Sequence, residues 1–359
     1  MSLAGHARDG FSVSGHRSSQ GGAIHSGAAS EFAGFEPGAS GLKRAVLLDT
    51  SVASTNVGDE IIMQAVRAGL REPLKGTLVS SVASHDRMGP KGRGLIRKAD
   101  LVVAGGSNLI SSHMWIRAVW KLGLRDAFLG MNTVLMGIGW YQFQRKPDPY
   151  TAWLLRRVLH PTALHSVRDS HAQSMLASIG ITNVINTGCP TIWNLGSPGT
   201  QPYPRERARE VVTTLNSYIP DRDADRRLIG ILRARYERIY VWLQTAEDYE
   251  LVRAFGDDII VIDPSLAGYD TLLTSGRSLD YVGNRLHGGI RALQHGLRAI
   301  IIEIDNRARE MGRDFNLPTV ERKDFDRLER MIDGELVIDV RPPVEAIAQW
   351  KTALRSQLS

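Results

Sequence analysis

One short stretch carries the densest set of chemistry-bearing residues in this sequence. Residues 283–293 read Gly-Asn-Arg-Leu-His-Gly-Gly-Ile-Arg-Ala-Leu, between a strand-like run and a helix-like one. Arg285 offers a planar, permanently charged fork that matches a carboxylate or a phosphate. His287 can exchange a proton near neutral pH, and the alternative is a structural histidine at a helix start. Gly288 leaves the first helix amides open to an anion. The stretch therefore predicts an anion site with a proton-transfer group beside it.

A loop near the start of the ordered-looking sequence reads Asn-Val-Gly-Asp at 56–59. Gly58 permits close backbone approach, and the helix predicted after it presents free N–H groups and a positive dipole end. Asn56 and Asp59 are then placed to contact a ligand. The alternative for Asp59 is that it only caps the helix.

A second loop of this kind follows the most apolar strand of the first half. It consists of Gly105, Gly106 and Ser107. Glycines at a strand end mark a tight turn or bare backbone that faces a ligand. Together, the two loops predict one ligand-facing edge of a sheet.

Three further segments follow predicted strands. Arg168 stands where a guanidinium could grip an anion, or it forms a salt bridge with Asp169. Asp305 and Arg307 either hold acceptor hydroxyl groups or buttress the arginines of the cleft. Cys189 precedes a proline in a tight turn, and no pattern assigns it a histidine base, so we expect it to be packed rather than nucleophilic.

These residues must be positioned by two series of alternating strands and helices. The first series has predicted strands at 44–49, 78–82, 99–104, 132–138, 163–167 and 182–186, with helices at 59–70, 115–124, 150–159 and 170–178. The second has strands at 211–215, 239–243, 259–262, 280–283 and 299–302, with helices at 223–236, 288–296 and 344–358. Such alternation predicts an α/β fold with parallel sheets covered by helices on both faces.

The domain boundaries follow from changes in composition. Residues 1–41 are rich in Gly, Ser, Ala and His without apolar periodicity, and we expect a disordered tail that binds no metal. A Pro- and Gly-rich stretch at 196–204 marks a linker between domains at 42–200 and 201–322. Residues 323–359 form a C-terminal segment whose last helix is expected to pack back on the first domain.

Ligands of open α/β sheets bind at the carboxyl ends of strands, which predicts a site in the cleft between the domains.

Bulk properties exclude several classes of protein. The net charge is +6, but acids and bases are interleaved and no basic tract carries aromatic residues, which argues against nucleic-acid binding. One cysteine excludes an internal disulfide and fits a reducing compartment. The longest apolar runs have strand length, and the first residues lack the order of a signal peptide. We expect a soluble, cytoplasmic protein, for which peripheral association with the inner face of the membrane stays open.

The motifs, in this order and spacing, resemble those of the polysaccharide pyruvyl transferases. The resemblance rests on residues 56–59, 105–107, 168–169, 187–190, 285–287 and 305–307. It spans about residues 44–318, and Gly-Gly-Ser at 105–107 departs from the commoner triple glycine.

The resemblance implies two Rossmann-like domains facing a cleft, as in B-type glycosyltransferases. It implies transfer of pyruvate from phosphoenolpyruvate to a sugar as a cyclic ketal, with release of phosphate. The sequence contains no cluster of residues with the spacing of a metal site, so we expect no metal ion, and we expect no cofactor. Phosphoenolpyruvate would lie near Arg285 and His287 in the second domain. The sugar, on a polysaccharide repeat unit that a lipid could carry, would approach from the first. His287 is then the candidate acid and Asp59 the candidate base.

Two other functions fit the same residues. A B-type glycosyltransferase with a nucleotide-sugar donor would share the fold and the phosphate site. An inactive relative would bind glycans without chemistry, although Arg168, Arg285 and His287 argue against it.

Overall fold

The computed structural model describes residues 41–116, 118–196 and 202–358. The predicted disordered tail lies outside the described residues apart from Gly41, and so does most of the predicted linker, at 197–201. The domain boundaries near 200 and 322 stay a prediction.

The first half builds a parallel sheet in the order β2-β1-β3-β4. A bridge between Ile138 and Val167 extends it to the parallel pair β5-β6. Its strands are β1 (Arg44–Asp49), β2 (Leu78–Ala83), β3 (Leu101–Gly105), β4 (Thr133–Met136), β5 (His165–Val167) and β6 (Val184–Asn186). Its helices are α1 (Gly58–Leu70), α2 (Pro90–Arg97), α3 (Pro149–Val158) and α4 (Ser170–Ala177).

The second half builds a six-stranded parallel sheet in the order β12-β11-β10-β7-β8-β9. Its strands are β7 (Glu210–Thr213), β8 (Arg238–Val241), β9 (Ile259–Val261), β10 (Leu279–Gly283), β11 (Ala299–Glu303) and β12 (Thr319–Glu321). The helices are α5 (Arg222–Arg233), α6 (Glu247–Val252), α7 (Leu266–Leu273), α8 (Leu286–Gln294), α9 (Asn306–Phe315), α10 (Phe325–Asp333) and α11 (Val344–Ser356). Both sheets are doubly wound, and central strands such as β3 and β10 are buried along their whole length, as expected for parallel strands.

Each sheet has one point at which the strand order reverses. In the first half it lies between β1 and β3, and in the second between β7 and β10. Ligands of doubly wound folds bind outside the carboxyl ends of the strands at such a point. The loops predicted from sequence at 56–59, 105–107 and 283–289 leave these strand ends or lead into the helices that follow them.

The two halves share a hydrophobic core. Helix α1 packs against α8, and one cluster of buried apolar side chains runs from Leu47 and Ile62 in the first half to Trp242 and Tyr281 in the second. At the other end of the chain, α11 lies against the first half. Trp350 packs edge-on against Trp193 with 5.8 Å between ring centroids.

The helix predicted at 115–124 is wrong, since the described residues of this stretch form turns and bends. Its apolar residues are too many and too irregularly spaced for one helical face. Trp120 and Leu122 are buried, whereas Trp115 and Ile116 point outward. Asp126 fixes the end of the turn by accepting from the Gly123 amide at 2.8 Å. No helix in the described ranges is long and apolar enough to cross a membrane.

Candidate functional site

A cleft of about 540 Å³ opens at the carboxyl ends of both sheets. The first half supplies Thr55, Asn56, Asn108, Val119, Tyr141 and Gln142 to its wall. The second half supplies Tyr218, Thr245, Glu247, Arg285, Asp305 and Arg307, together with Ser217. Of the residues predicted for the site, this wall therefore contains Asn56, Arg285, Asp305 and Arg307. The other predicted residues do not line it.

Arg285 is fixed on the cleft wall by a buried ion pair. Its Nη2 donates to both carboxylate oxygens of Asp248, at 2.7 and 2.5 Å, and its Nε donates to the Leu215 carbonyl at 3.2 Å. The guanidinium also lies 5.0 Å from the ring centroid of Tyr218. Within the described part of the chain no group accepts from Nη1, so this nitrogen is available to a ligand.

Arg307, like Arg285, lies against the ring of Tyr218, with its guanidinium 5.7 Å from the ring centroid. Its Nε donates to both carboxylate oxygens of Asp305, at 3.1 and 2.9 Å, and its Nη2 donates to the Tyr218 hydroxyl and to Asp305. Burial alone would raise the pKa of Asp305, but the Arg307 guanidinium outweighs it, and the pKa lies below its ordinary value. Asp305 also caps α9 by accepting from the Arg307 amide at 2.9 Å. It therefore buttresses an arginine of the cleft, which is one of the two alternatives that the sequence left open.

Arg168 is fully buried one layer behind the wall. Its Nε and Nη2 donate to Asp169 at 3.0 and 2.9 Å, and its Nη1 donates to Asn108 at 2.5 Å. Gly139 makes room for the guanidinium, since a Cβ there would lie 2.3 Å from Cζ of Arg168. The salt bridge with Asp169 is thus present, and Arg168 acts on the cleft by orienting Asn108.

The loop at 56–59 brings a buried carboxyl group close to the arginines. Asn56 accepts from the Gly58 amide at 3.0 Å, and Ser54 donates to Oδ2 of Asp59 at 2.5 Å. Nε2 of His85 lies 3.9 Å from the same oxygen. Burial raises the pKa of Asp59 above the usual carboxyl value, against the opposing effect of these neighbours and of the nearby arginines.

The glycine loop after β3 serves close packing. Gly106 and Ser107 both have positive φ, at 66° and 65°. A Cβ on Gly106 would lie 2.1 Å from Cγ2 of Ile62, and one on Gly105 would lie 2.6 Å from Cγ1 of Val66. These glycines let α1 approach the end of β3, and through that contact they position the 56–59 loop. None of the three residues lines the cleft.

His287 lies in the first turn of α8 but faces the interface between the two halves. Its Nε2 lies 3.7 Å from Sγ of Cys189, and both side chains are buried. Burial lowers the pKa of His287 to about 3, with further lowering by the positive charges of Arg307 and Arg168. The imidazole is therefore neutral at neutral pH in this environment.

The starts of α1 and α8 approach each other across the side chain of Gln244. A Cβ on Gly58 would lie 2.6 Å from its Oε1, and a Cβ on Gly288 would lie 3.3 Å from its Nε2. That Nε2 is buried and has no hydrogen-bond partner among the described residues. The Gln244 carbonyl accepts from the Val57 amide at 3.0 Å, which ties the first-half loop to the second half.

Sequence reasoning missed Tyr218, Gln244 and Asp248, which shape this site. Gln244 comes soon after β8, so the strand-end rule applied to every strand could have found it. Tyr218 and Asp248 lie further from their strands, in the loop after β7 and in α6. No sequence signal marks them. The described residues contain no group of three or more His, Cys, Asp or Glu side chains that could hold a metal ion.

Comparison with solved structures supports the fold. The S. aureus MnaA–UDP co-structure superposes with a TM-score of 0.51 at 14% identity, covering 88% of this chain and 97% of that chain. UDP-GlcNAc 2-epimerase from Neisseria meningitidis bound to UDP-GlcNAc gives 0.45 at 13% identity, covering 88% and 100%. The apo lipopolysaccharide outer core galactosyltransferase WaaB gives 0.45 at 11%, covering 88% and 98%. The MnaA superposition and the two parallel sheets confirm the predicted architecture of two Rossmann-like units, which resembles that of the B-type glycosyltransferases.

Sequence comparison identifies the family. No curated protein matches the chain. The sequence model of the polysaccharide pyruvyl transferases matches residues 56–306, from the loop of Asn56 to the start of α9. Because this match covers well over half of the chain and most of the cleft, the chain belongs to the polysaccharide pyruvyl transferase family.

Proposed function

We propose that the protein transfers pyruvate from phosphoenolpyruvate to a sugar as a cyclic ketal and releases phosphate. Family membership supports a transferase with a sugar acceptor. The donor and the ketal product belong to the proposal. The observation that carries it is the pair of guanidinium groups on the cleft wall, Arg285 and Arg307, each with an Nη1 for which the described chain has no acceptor.

The charge of the donor matches this wall. Phosphoenolpyruvate presents a carboxylate and a phosphate on one small carbon frame, and arginine binds both groups through charge-assisted hydrogen bonds. Both guanidinium groups lie against the ring of Tyr218 on the same cleft wall, so two anionic groups of one molecule can each meet a guanidinium. The start of α8 adds the positive end of a helix dipole.

The reaction then proceeds by addition to the enol. A proton is added to the methylene carbon, and an acceptor hydroxyl attacks the central carbon and loses its proton. The bond from that carbon to the phosphate oxygen breaks. A second hydroxyl of the same sugar attacks the same carbon, closes the ring and gives its proton to the departing phosphate. Phosphate leaves, and the net products are the ketal and inorganic phosphate. The arginines stabilise the negative charge on the leaving group.

Two groups are proposed for the proton transfers. The raised pKa of Asp59 suits a base that must take a proton from a hydroxyl near neutral pH. His287 is the proposed acid, and it needs a proton that its surroundings disfavour. An anion bound beside Arg307 would cancel part of the positive field and raise the pKa of His287. Donor binding would thus prepare the acid.

The acceptor class completes the proposal. We infer a repeat unit of an exopolysaccharide, or its lipid-linked precursor, as the acceptor, and a cytoplasmic protein that meets it at the inner face of the membrane. The first half of the cleft, with Asn56 and Tyr141, would contact the sugar.

The test is phosphate release from phosphoenolpyruvate by the full chain with candidate lipid-linked and nucleotide-linked sugars, with mass spectrometry of the product. Arg307→Ala should weaken donor binding. Arg309→Ala is the matched control, since Arg309 lies on the same helix and pairs with Glu303 and Glu321 outside the cleft. Binding of a nucleoside diphosphate without affinity for phosphoenolpyruvate would favour a glycosyltransferase. Glycan binding without turnover would favour an inactive relative.

A further inference from the structure

A face of the first half exposes large apolar side chains. Trp115, Ile116 and Leu124 are 65%, 68% and 58% exposed in the segment between β3 and β4. Phe128 is 65% exposed just beyond them, and Trp153 of α3 is 36% exposed. We call these five residues the apolar face. Exposed side chains of this size are common singly but rarely gather on one side of a soluble domain.

The five residues form a continuous surface. Trp115, Ile116 and Leu124 surround a hollow of about 580 Å³ whose wall also includes Tyr150. Tyr150 packs on Trp153 with 5.9 Å between ring centroids, and Trp153 packs on Phe128 at 6.0 Å. Aromatic contacts thus connect the hollow to the outer rings.

Cations border this surface. Arg87, Lys121 and Arg125 line the hollow, and the Arg157 guanidinium lies 5.5 Å from the ring centroid of Phe128. None of the four has an ion-pair partner within the described ranges. One acid lines the hollow, Asp126.

That acid is neutralised. Asp126 is buried and accepts from Nε of Arg93 at 2.8 Å. The apolar face is therefore bordered by positive charge that the protein itself leaves uncompensated.

We propose that the apolar face docks on a bilayer that contains anionic phospholipid. Tryptophan and phenylalanine rings insert at the boundary between headgroups and acyl chains, and lysine and arginine attract anionic headgroups. The cations without ion-pair partners favour an anionic bilayer over a neutral apolar partner, because a neutral partner would leave these cations without counter-charges.

The surface is connected to the cleft through one segment. Asn108 and Val119 line the cleft, and Trp115 and Ile116, which lie between them in sequence, belong to the apolar face. Docking would therefore hold the mouth of the cleft next to the headgroups. This step rests on the proposed function, since it explains how a lipid-linked sugar would reach the donor site.

Vesicle co-sedimentation of the full chain tests the docking. Vesicles of phosphatidylcholine mixed with phosphatidylglycerol should bind the protein, vesicles of phosphatidylcholine alone should bind it weakly, and added salt should reduce binding. Each cation near an anionic surface contributes about 1 kcal/mol to the free energy of membrane binding. The double variant Lys121→Gln/Arg125→Gln should therefore bind these vesicles roughly 30-fold more weakly than the parent. Trp115→Ser/Ile116→Ser should lose binding at every salt concentration.

Matched controls lie on the other half of the protein. Arg327→Gln/Arg330→Gln changes two exposed arginines of α10, and Val337→Ser removes an apolar side chain that is 65% exposed. All variants should keep the melting temperature of the parent, because the altered side chains are exposed. The docking surface would be refuted if the control variants lost vesicle binding to the same extent. It would also be refuted if binding did not depend on phosphatidylglycerol.

The docking and the proposed function fail in different ways. If the docking is right, the face variants keep turnover on a water-soluble sugar acceptor and lose it on a vesicle-borne one. Vesicle binding without any turnover of phosphoenolpyruvate would leave the docking standing and refute the function. If the parent forms dimers that Trp115→Ser/Ile116→Ser dissociates, a second copy covers the face, and the lipid proposal is wrong.

Discussion

Sγ of Cys189 lies 3.7 Å from Nε2 of His287, where the first half of the chain meets the second. A cysteine next to a histidine suggests an activated thiolate. The burial of this pair argues otherwise, since burial raises the pKa of the Cys189 thiol and lowers that of the His287 imidazole. The favoured state is the neutral thiol beside the neutral ring, which agrees with the expectation that Cys189 is packed.

Cys189→Ser should therefore keep most of the activity, with a modest loss of stability from poorer packing. Turnover and the melting temperature of the purified variant check this. A fall of three or more decades in turnover with the fold intact would identify Cys189 as a nucleophile.

His287→Ala should lower turnover far more than it lowers affinity for phosphoenolpyruvate. Loss of a proton-transfer group typically costs ~100- to 10,000-fold in rate. Single-turnover kinetics and donor titration separate the two quantities. His295→Ala is the control, because His295 lies at the end of the same helix and pairs with Asp270 instead. If His287→Ala turns over like the parent, the acid is another group.

Replacing Arg285 alone would mix two effects, because it leaves Asp248 buried without its partner, at a cost of about 3–5 kcal/mol in stability. The double variant Arg285→Gln/Asp248→Asn removes both charges. We expect it to fold and to bind phosphoenolpyruvate roughly ten- to a hundredfold more weakly, as expected for a lost charge-assisted bond of about 1.5–3 kcal/mol. Calorimetric titration measures the change.

The control for this double variant is Arg291→Gln/Asp270→Asn. It removes a similar ion pair, with 2.6 Å between Nη2 and Oδ2, from a position outside the cleft. Donor affinity should stay at the parent value. If both double variants lose affinity equally, Arg285 does not contact the donor.

The stability of the fold should decrease on acidification because of two buried histidines. Burial lowers the pKa of His165 to about 4 and that of His287 to about 3, from 6.5. Below pH 6.5 the unfolded chain binds protons that the folded chain excludes, so the free energy of unfolding falls as the pH drops towards 4 and 3. Above pH 6.5 both rings are neutral in both states, and this contribution is constant.

Urea unfolding at several pH values checks this dependence. His165 accepts from the Leu135 amide through Nδ1 and pairs with the His160 carbonyl through Nε2, at 3.2 and 2.9 Å, so the neutral ring is fully hydrogen-bonded. His165→Gln should be less stable at pH 7 and should show a smaller loss between pH 6.5 and 4. An unchanged pH slope would mean that His165 is protonated in the folded state.

Two glycine substitutions should change stability in opposite directions. Gly106 has a φ of 66° and faces Ile62, so Gly106→Ala combines backbone strain with overpacking and should destabilise by about 2–5 kcal/mol. Gly94 lies within α2, where a Cβ would meet no atom within 4 Å. Gly94→Ala should stabilise by about 0.5–1 kcal/mol. Equal effects in thermal unfolding would contradict the packing described at the end of β3.

The sequence predicted most of the fold because parallel strands are short apolar runs with clear boundaries. All eleven predicted strands are present within a few residues, whereas the twelfth strand, β12, was not predicted. The failures have physical causes. Helix α2 was not predicted because Gly92 and Gly94 lie in its interior, and glycine has a low helix propensity. The segment at 115–124 is rich in apolar residues because it serves two surfaces at once, the core and the apolar face.

Site residues that closely follow a strand could be predicted from the sequence, whereas site residues further from a strand end could not. Arg285 and Arg307 come soon after β10 and β11, and the structure places both on the cleft wall. Which partner holds each guanidinium depends on tertiary packing, so Asp248 could not be inferred. The position of His287 at the interface could not be inferred either, because its neighbour Cys189 comes from the other half of the chain.

Arg285 and Arg307 have one further property in common, which is that neither is free to move. Asp248 holds one, Asp305 holds the other, and Tyr218 lies against both. An unrestrained arginine carries about 2 kcal/mol of rotamer entropy that binding would remove. Here that entropy is already lost on folding, so a ligand meets rigid donors and ordering them does not diminish its affinity. Substituting Tyr218 would thus weaken anion binding mainly through entropy, although every charge in the cleft would remain.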